Sequence, residues 1–365
     1  MNKTENFRKS WSLINFCEFD KYASQSYCAI HGVDPNLNLG DITQINIEKL
    51  PTNIDLITHG SPCQSFSLSG KQHGGDKGSG TRSSLMWNSV GIIRHCKPKF
   101  VIWENVKNVL APKHRHNFEQ YIKELDDIGY VSHYKVMDAS KYGVPQKRER
   151  IICVSIRKDI YTTFDFPKEI DLKYKLEDII DFREKDDLTD NFICRYNEIF
   201  NTNISYENFT KYIEELPISA GIGCKKMGLY NFAEMDTITM PTGITGTLTC
   251  RNVQNYCKKF WYHNRLYKPS PKMVFRLMDF SDSDYEKANA LMDDKHLYNQ
   301  GGNSIVVNVM LLVFVELYKR YPKEFDDLKY LSLFSGIGSP EKALDRLYRA
   351  INLLEDKKRE KQGEK

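Results

Sequence analysis

Short apolar and β-branched runs punctuate the first half of the chain at "SLINF" (12–16), "DLITHG" (55–60), "FVIWENV" (100–106) and "RIICVSI" (150–156). Each is bounded by polar or turn-forming residues, as strands are. The intervals between them are long enough for helices, so the pattern predicts an α/β fold with a mostly parallel sheet and crossover helices. From about residue 167 the order gives way to polar, aromatic-rich sequence without a strict period, and it resumes near 290. The expected organisation is a first part of a large domain over 1–166, a smaller domain over 167–290, and a return to the large domain over 291–365. The returning part predicts a helix over 303–320, a strand over 330–334 and a helix over 340–354, with Ala343, Leu344, Leu347, Ile351 and Leu354 on one apolar face.

Between that last strand and helix stands "FSGIGSPEKAL". Gly336 and Gly338 permit a tight turn, while Ser339 and Pro340 suit an N-cap and first helical position. Such a turn reads equally as a plain connection or as part of a nucleotide-type site. The latter needs a following parallel strand that ends in an acid for the ribose. No strand follows, but the strand 12–16 near the other terminus leads into Glu18. By itself Glu18 also reads as a surface acid. If the helix 340–354 precedes that strand in space, the chain is circularly permuted within one βαβ unit.

Composition narrows the class. Hydrophobic residues make up 41% and charged residues 27% of 365, values of a globular protein. Lys plus Arg (52) exceed Asp plus Glu (48) by four, which permits a polyanionic partner without demanding one. Nine cysteines without a CxxC pair fit a reducing compartment and no metal framework. His114 and His116 in "KHRH" read as solvated. "MNKTENFRKSW" shows no signal peptide pattern. Asn308 and Glu316 interrupt the apolar run 303–320, which reads as a core helix and not a membrane span.

Three clusters carry candidate chemistry. In "GSPCQSFSLSG" Cys63 follows a strand end amid Pro62, Gln64, Ser65, Ser67 and Ser69, a setting for a nucleophilic thiol more than for inert packing. The glycine-rich stretch 70–82 carries Lys71, Lys77 and Arg82 but lacks the GK[ST] of a P-loop, which suits a basic lid over a polyanion. "VIWENV" offers Glu104 and Asn105. "QKRER" offers Arg148 and Arg150, alternate residues that share a face if the segment is extended.

With these residues in view the sequence resembles the DNA (cytosine-5) methyltransferases: "FSGIGSPEKAL", "FCEFDKYA", "GDIT", "GSPCQSFSLSG", "ENV", "QKRER" and "QGGNSIVVNV" are similar to that family's motif set, with the first motif placed last. The resemblance implies a Rossmann-like methyltransferase fold with a target-recognition domain. S-adenosyl-L-methionine would be held by Phe334, Gly336, Gly338, Glu18, Phe19, Asp41, Ile42, Pro62, Asn303 and Ser304. Cys63 would be the nucleophile, Glu104 would meet N3 and the exocyclic amine of a flipped cytosine, and Arg148 and Arg150 would orient base and glutamate. Double-stranded DNA would be met by Gln64, Ser67, Ser69, Lys71, Arg82, Thr247, Leu248 and Thr249, the last three in "TGTLTCR". Also implied are a monomer without metal or membrane, in the cytoplasm of a bacterium or encoded by a phage, acting as the modification enzyme of a restriction system. Two departures stand out: "PSPK" within 264–280 and the extra glycine of "QGGN". A cytosine methyltransferase of tRNA is the enzyme alternative, but its Cys-Phe-Thr tripeptide is absent. A DNA-binding regulator is the other, disfavoured by the joint presence of Cys63, Glu104, Arg148 and Arg150.

Overall fold

The computed structural model describes residues 9–62, 66, 75–219, 223–231, 233–249 and 258–362. The chain divides into two compact units, 1–137 with 149–168 and 307–365, and 138–148 with 169–306. Residues 291–306, expected with the large domain, fall in the second unit, as does the short piece 138–148.

The first unit is built on strands β1 (Ser10–Cys17), β2 (Leu56–His59), β3 (Phe100–Val106), β4 (Tyr130–Asp138, whose last residue belongs to the second unit), β6 (Glu149–Arg157) and β13 (Asp327–Leu333). Their order in the sheet is β1-β13-β2-β3-β6-β4. Strand β13 is parallel to β1 on one side and to β2 on the other, and β2 is parallel to β3. Strand β6 runs antiparallel to β3, which the apolar pattern could not show because side-chain alternation is blind to strand direction. The edge strand β4, "YVSHYKVMD", is too polar to stand out in the sequence, since only Tyr130 and Met137 along it are buried.

Helices α1 (Lys21–His31), α2 (Met86–Cys96), α3 (Arg115–Ile128), α10 (Val307–Arg320) and α11 (Ser339–Gln362) cover the sheet. On one face Ile57, Val101, Trp103, Ile151, Cys153, Leu331 and Leu333 pack with Val90 and Ile93 of α2 and Tyr121 and Leu125 of α3. On the other, Phe16 stacks on Tyr27 of α1, and Phe100 meets Phe325, which touches Tyr348 of α11. Asp20 caps α1 by accepting from Tyr22 N and Ala23 N. Ala343, Leu344, Leu347 and Ile351 are buried as the helical spacing predicts, but Leu354 is 60% exposed, because α11 runs on beyond them through Gln362. The stretch Asp294–Arg320 has the length and composition of a membrane span, yet the backbone is not helical at 304–306, and Val309, Met310, Val313, Phe314 and Leu317 are buried in the core.

The second unit holds β5 (Gln146–Lys147), β7 (Ile218–Ser219), β8 (Cys224–Lys226), β9 (Thr237–Thr239), β10 (Thr245–Gly246), β11 (Lys259–Tyr262) and β12 (Arg265–Tyr267). Five of these form a sheet in the order β12-β11-β9-β8-β7, and β5 pairs in parallel with β10. Helices α4 (Thr189–Phe200) and α5 (Tyr206–Glu215) close a core of Phe192, Phe209, Ile213, Met227, Ile238, Trp261 and Leu266. Short helices α6 (Ala233–Asp236), α7 (Pro271–Leu277), α8 (Asp282–Asn289) and α9 (Asp294–Asn303) complete it.

Candidate active site

Two groups of site residues come from the first unit. At the end of β13 the chain turns through Phe334 (φ 56°), Gly336 (φ 56°) and Gly338 (φ 80°) into α11. A non-glycine residue in the left-handed region marks local strain of the kind that functional turns retain. A Cβ at Gly338 would lie 2.1 Å from His31 Nε2, so a side chain there would strain the positive-φ turn and displace the His31 ring, whose Nε2 also meets Ile337 O at 3.0 Å. A Cβ at Gly336 would meet nothing within 4 Å, which leaves open space above the turn.

Beside this turn, β1 ends at Cys17 and Glu18 follows. Gly336 N donates to Glu18 Oε2 at 2.7 Å, and Asp20 N donates to Oε1 at 2.8 Å. Ser335 N reaches Cys17 O at 3.1 Å, so residues more than three hundred positions apart form one local structure. Burial raises the Glu18 carboxyl above its ordinary range, against the lowering effect of both backbone donors. Phe19, next in sequence, is 79% exposed, an aromatic face left to solvent. Asp41 caps the turn Ile42–Gln44 by accepting from Thr43 N at 2.9 Å and Oγ1 at 2.8 Å, and Ile42 is buried. A carboxylate, an exposed aromatic ring and open space over a glycine turn fit a nucleoside-bearing cofactor.

The second group lies at the ends of β2, β3 and β6. The antiparallel register sets Val106 opposite Arg150, and Arg150 Nε meets Glu104 Oε1 at 3.1 Å, both side chains being largely buried. A Cβ at Gly60 would lie 3.7 Å from Glu104 Oε2, so the carboxylate stands against the strand end that leads to Cys63. Cys63, Gln64, Ser67, Ser69 and Lys71 lie outside the described residues. Both flanks of Cys63 are described. Ser61 O accepts from Asn105 Nδ2 at 3.0 Å and Pro62 O from Ser83 Oγ at 2.7 Å. Phe66 O accepts from Asn108 Nδ2 at 2.6 Å. Arg82 opens the turn Arg82–Leu85 that carries Ser83. Sequence reading found Asn105 but missed Ser83 and Asn108, which no motif spacing marks.

Two histidines differ from their sequence reading or lacked one. His114 is 1% exposed and packs edge-on to Phe66, so it is not solvated, whereas His116 is exposed and meets Asp76 Oδ1 at 2.7 Å. His59 is wholly buried, with Nε2 2.9 Å from Tyr121 OH, and burial lowers its pKa to about 3, which keeps it neutral. Among the described residues, no group of His, Cys, Asp and Glu could hold a metal ion. The described thiols of Cys17 and Cys153 are pushed up to about 12 and that of Cys96 to about 11, chiefly by burial, so these three are poor nucleophiles.

Arg148 belongs to the second unit. Its guanidinium donates to Leu248 O (2.7 Å), Gly302 O (3.1 Å) and Ser304 O (2.7 Å), and the residue is 3% exposed. Leu248, expected at a DNA contact, is wholly buried, and its N donates to Gln146 Oε1 at 3.0 Å, so its side chain is an internal anchor. Thr247 Oγ1 donates to Lys147 O at 2.8 Å, and Thr249 follows in the same segment. Asn303 is exposed at the end of α9, and Ser304 is buried with Oγ donating to Gln300 O at 2.9 Å.

The mostly parallel sheet with helices on both faces is the fold of S-adenosylmethionine-dependent methyltransferases. Solved structures agree on the fold: Schizosaccharomyces pombe Dnmt2 methyltransferase (16% identity, TM-score 0.56, 84% of this chain and 90% of that one) and Entamoeba histolytica methyltransferase EhMeth (13%, 0.53, 85% and 89%). The family model described as C-5 cytosine-specific DNA methylase matches residues 6–319. Curated relatives include Type II methyltransferase M2.ScrFI of Lactococcus lactis subsp. cremoris, 31% identical over 78% of this chain and 72% of that protein. Type II methyltransferase M.HhaI of Haemophilus parahaemolyticus is 31% identical over 80% and 83%. The chain belongs to the C-5 cytosine-specific DNA methylase family and is a DNA (cytosine-5-)-methyltransferase.

Proposed function

We propose that this enzyme methylates C5 of a flipped-out cytosine within a short sequence of double-stranded DNA, using S-adenosyl-L-methionine. The observation that carries the reading is the Glu104–Arg150 pair set against Gly60, at the root of the segment whose flanks are tied down on both sides of Cys63. Cytosine C5 is a weak nucleophile. Addition of the Cys63 thiolate at C6 makes it enamine-like, and a protonated Glu104 at N3 draws off the charge that develops on the ring. Arg150 fixes the Glu104 carboxyl through Nε. Glu18 would bind the ribose hydroxyls and Phe19 and Phe334 the adenine, with Asp41, Ile42, Pro62, Gly336 and Gly338 lining the remainder. When bound, S-adenosyl-L-methionine supplies an electrophilic methyl group on sulfur. Removal of the C5 proton and departure of Cys63 then restore the aromatic base. Flipping costs a few kcal/mol, which contacts to the extruded base must offset.

The same reading makes the catalytic domain a circular permutant. Its support is that β13 lies between β1 and β2 and parallel to both, that Gly336 N bonds Glu18, and that the family match ends at 319, before β13 begins at Asp327. The second unit would recognise the target sequence through segments near Thr247 and Thr249. The Type II names of the two relatives support a modification enzyme of a restriction system. Bisulfite sequencing of plasmid DNA from cells expressing the protein tests the reading, with Cys63→Ala as control. Protected cytosines in one recurring context, absent in the control, are expected; full conversion in both samples, with soluble protein present, would overturn it.

A further inference from the structure

Asn38 carries no motif, yet every polar group of its side chain is used. Its Oδ1 accepts from Glu18 N at 3.0 Å and Gly40 N at 2.9 Å. Its Nδ2 donates to Glu18 O at 3.0 Å and Ser24 Oγ at 2.9 Å. Two backbone N–H groups converge on one atom of the carboxamide, and an NH₂ in that place would face donors with a donor, so the orientation of the amide is fixed by chemistry. The side chain therefore grips both peptide groups of Glu18, the start of the Gly40–Asp41 corner and helix α1 at once. Leu39 N adds a bond to Phe16 O at 2.7 Å, and Cys17 Sγ one to Gly40 O at 3.1 Å.

We infer that Asn38 is a positioning residue of the cofactor pocket, setting Glu18 and Asp41 at a fixed separation before the ligand arrives. The inference rests on the assignment of Glu18 and Asp41 to S-adenosyl-L-methionine. Glu18 needs such support. Its carboxylate accepts from Gly336 N through Oε2 and from Asp20 N through Oε1, and both bonds depend on where the backbone of Glu18 is held. A carboxamide that holds the Glu18 N–H and C=O together removes that freedom, so less ordering remains to be done on binding.

The test is calorimetric titration of the full-length protein with S-adenosyl-L-homocysteine, the unreactive demethylated form, alongside thermal melting. Wild type is compared with Glu18→Ala, Asn38→Ala, Asn38→Asp and Ser24→Ala. Asn38→Ala and Asn38→Asp should raise Kd by roughly ten-fold or more, and Ser24→Ala by a smaller factor. Asn38→Asp retains both accepted bonds, loses both donated ones and adds a charge beside Glu18, and it carries the test with Ser24→Ala if Asn38→Ala fails to fold. At saturating cofactor, kcat of the Asn38 variants should stay within about two-fold of wild type, since a positioning role at this site acts on binding. A lowered melting temperature with unchanged Kd would overturn the inference and leave a purely structural residue. If Glu18→Ala binds as wild type does, or wild type binds nothing, the cofactor assignment itself falls and the inference with it.

Discussion

Arg148 and Arg150 stand two residues apart in one basic run, yet each does what its own unit requires. In the first unit, whose interior is an apolar sheet, Arg150 is a polar exception, and it lies where it can hold a carboxylate at the strand ends. In the second unit a cation amid backbone carbonyls is ordinary. Arg148 ties three carbonyls, Lys225 Nζ donates to Ile213 O and Glu214 O at the end of α5, and Arg183 bridges the wholly buried Asp186 and Asp294. A buried charge is tolerated only where partners satisfy it. The contrast teaches that the units differ in buried charge: among the described residues the first unit buries Glu341, while the second buries Arg148, Asp186, Lys225, Asp236, Lys258, Lys259 and Asp284 and uses such groups as struts.

The sharpest break of that contrast is in activity. Glu104→Gln should lower the turnover rate about 10²- to 10⁴-fold, measured by methyl transfer to DNA, while the melting temperature stays near that of wild type. A collapse of stability in that variant would make the pair a strut as well. Arg148→Ala should do the reverse in the second unit, reducing unfolding free energy in urea by about 3 kcal/mol because buried carbonyls lose their donor. An unchanged unfolding midpoint would remove the distinction between the two arginines. Glu18→Ala should weaken cofactor binding by about 1.5–3 kcal/mol, read by calorimetry.

A smaller effect concerns Glu341, buried beneath the glycine turn, where it accepts from Tyr27 OH at 2.9 Å and where burial raises its pKa to about 7. A carboxyl raised above its unfolded value stabilises the fold below that unfolded value, and this contribution is lost as pH climbs toward about 7. Stability should therefore fall between pH 5 and 7 by at most about 1.4 kcal/mol per pH unit from this group, and Glu341→Gln should flatten that slope. Smallest of all, Leu354→Ala should change stability by less than about 0.5 kcal/mol, because that side chain is exposed, whereas Leu347→Ala on the buried face should cost about 2–5 kcal/mol.

Much of the first unit was legible. The runs at 12–16, 100–106 and 150–156 lie within β1, β3 and β6, and most of 330–334 and of 55–60 falls in β13 and β2, because buried strands must be apolar over their whole length. Strand β4 was not legible, for an edge strand half open to solvent needs no such composition. The helix expected from 303 begins at Val307, after a break that follows α9. In the second unit, short strands and buried charges leave no period to read.

Sequence alone determined the strands of the large sheet, the glycines a turn with positive φ requires, and the residue types that carry the chemistry, since each is a local demand on a side chain or a backbone angle. Only the tertiary structure decided that β13 inserts between β1 and β2, that Gly336 N meets Glu18, that Arg150 meets Glu104, and that Asn38, Ser83 and Asn108 brace the loops. Those are meetings of groups far apart in the chain, and a hydrogen bond between them leaves no pattern in the residues that lie between.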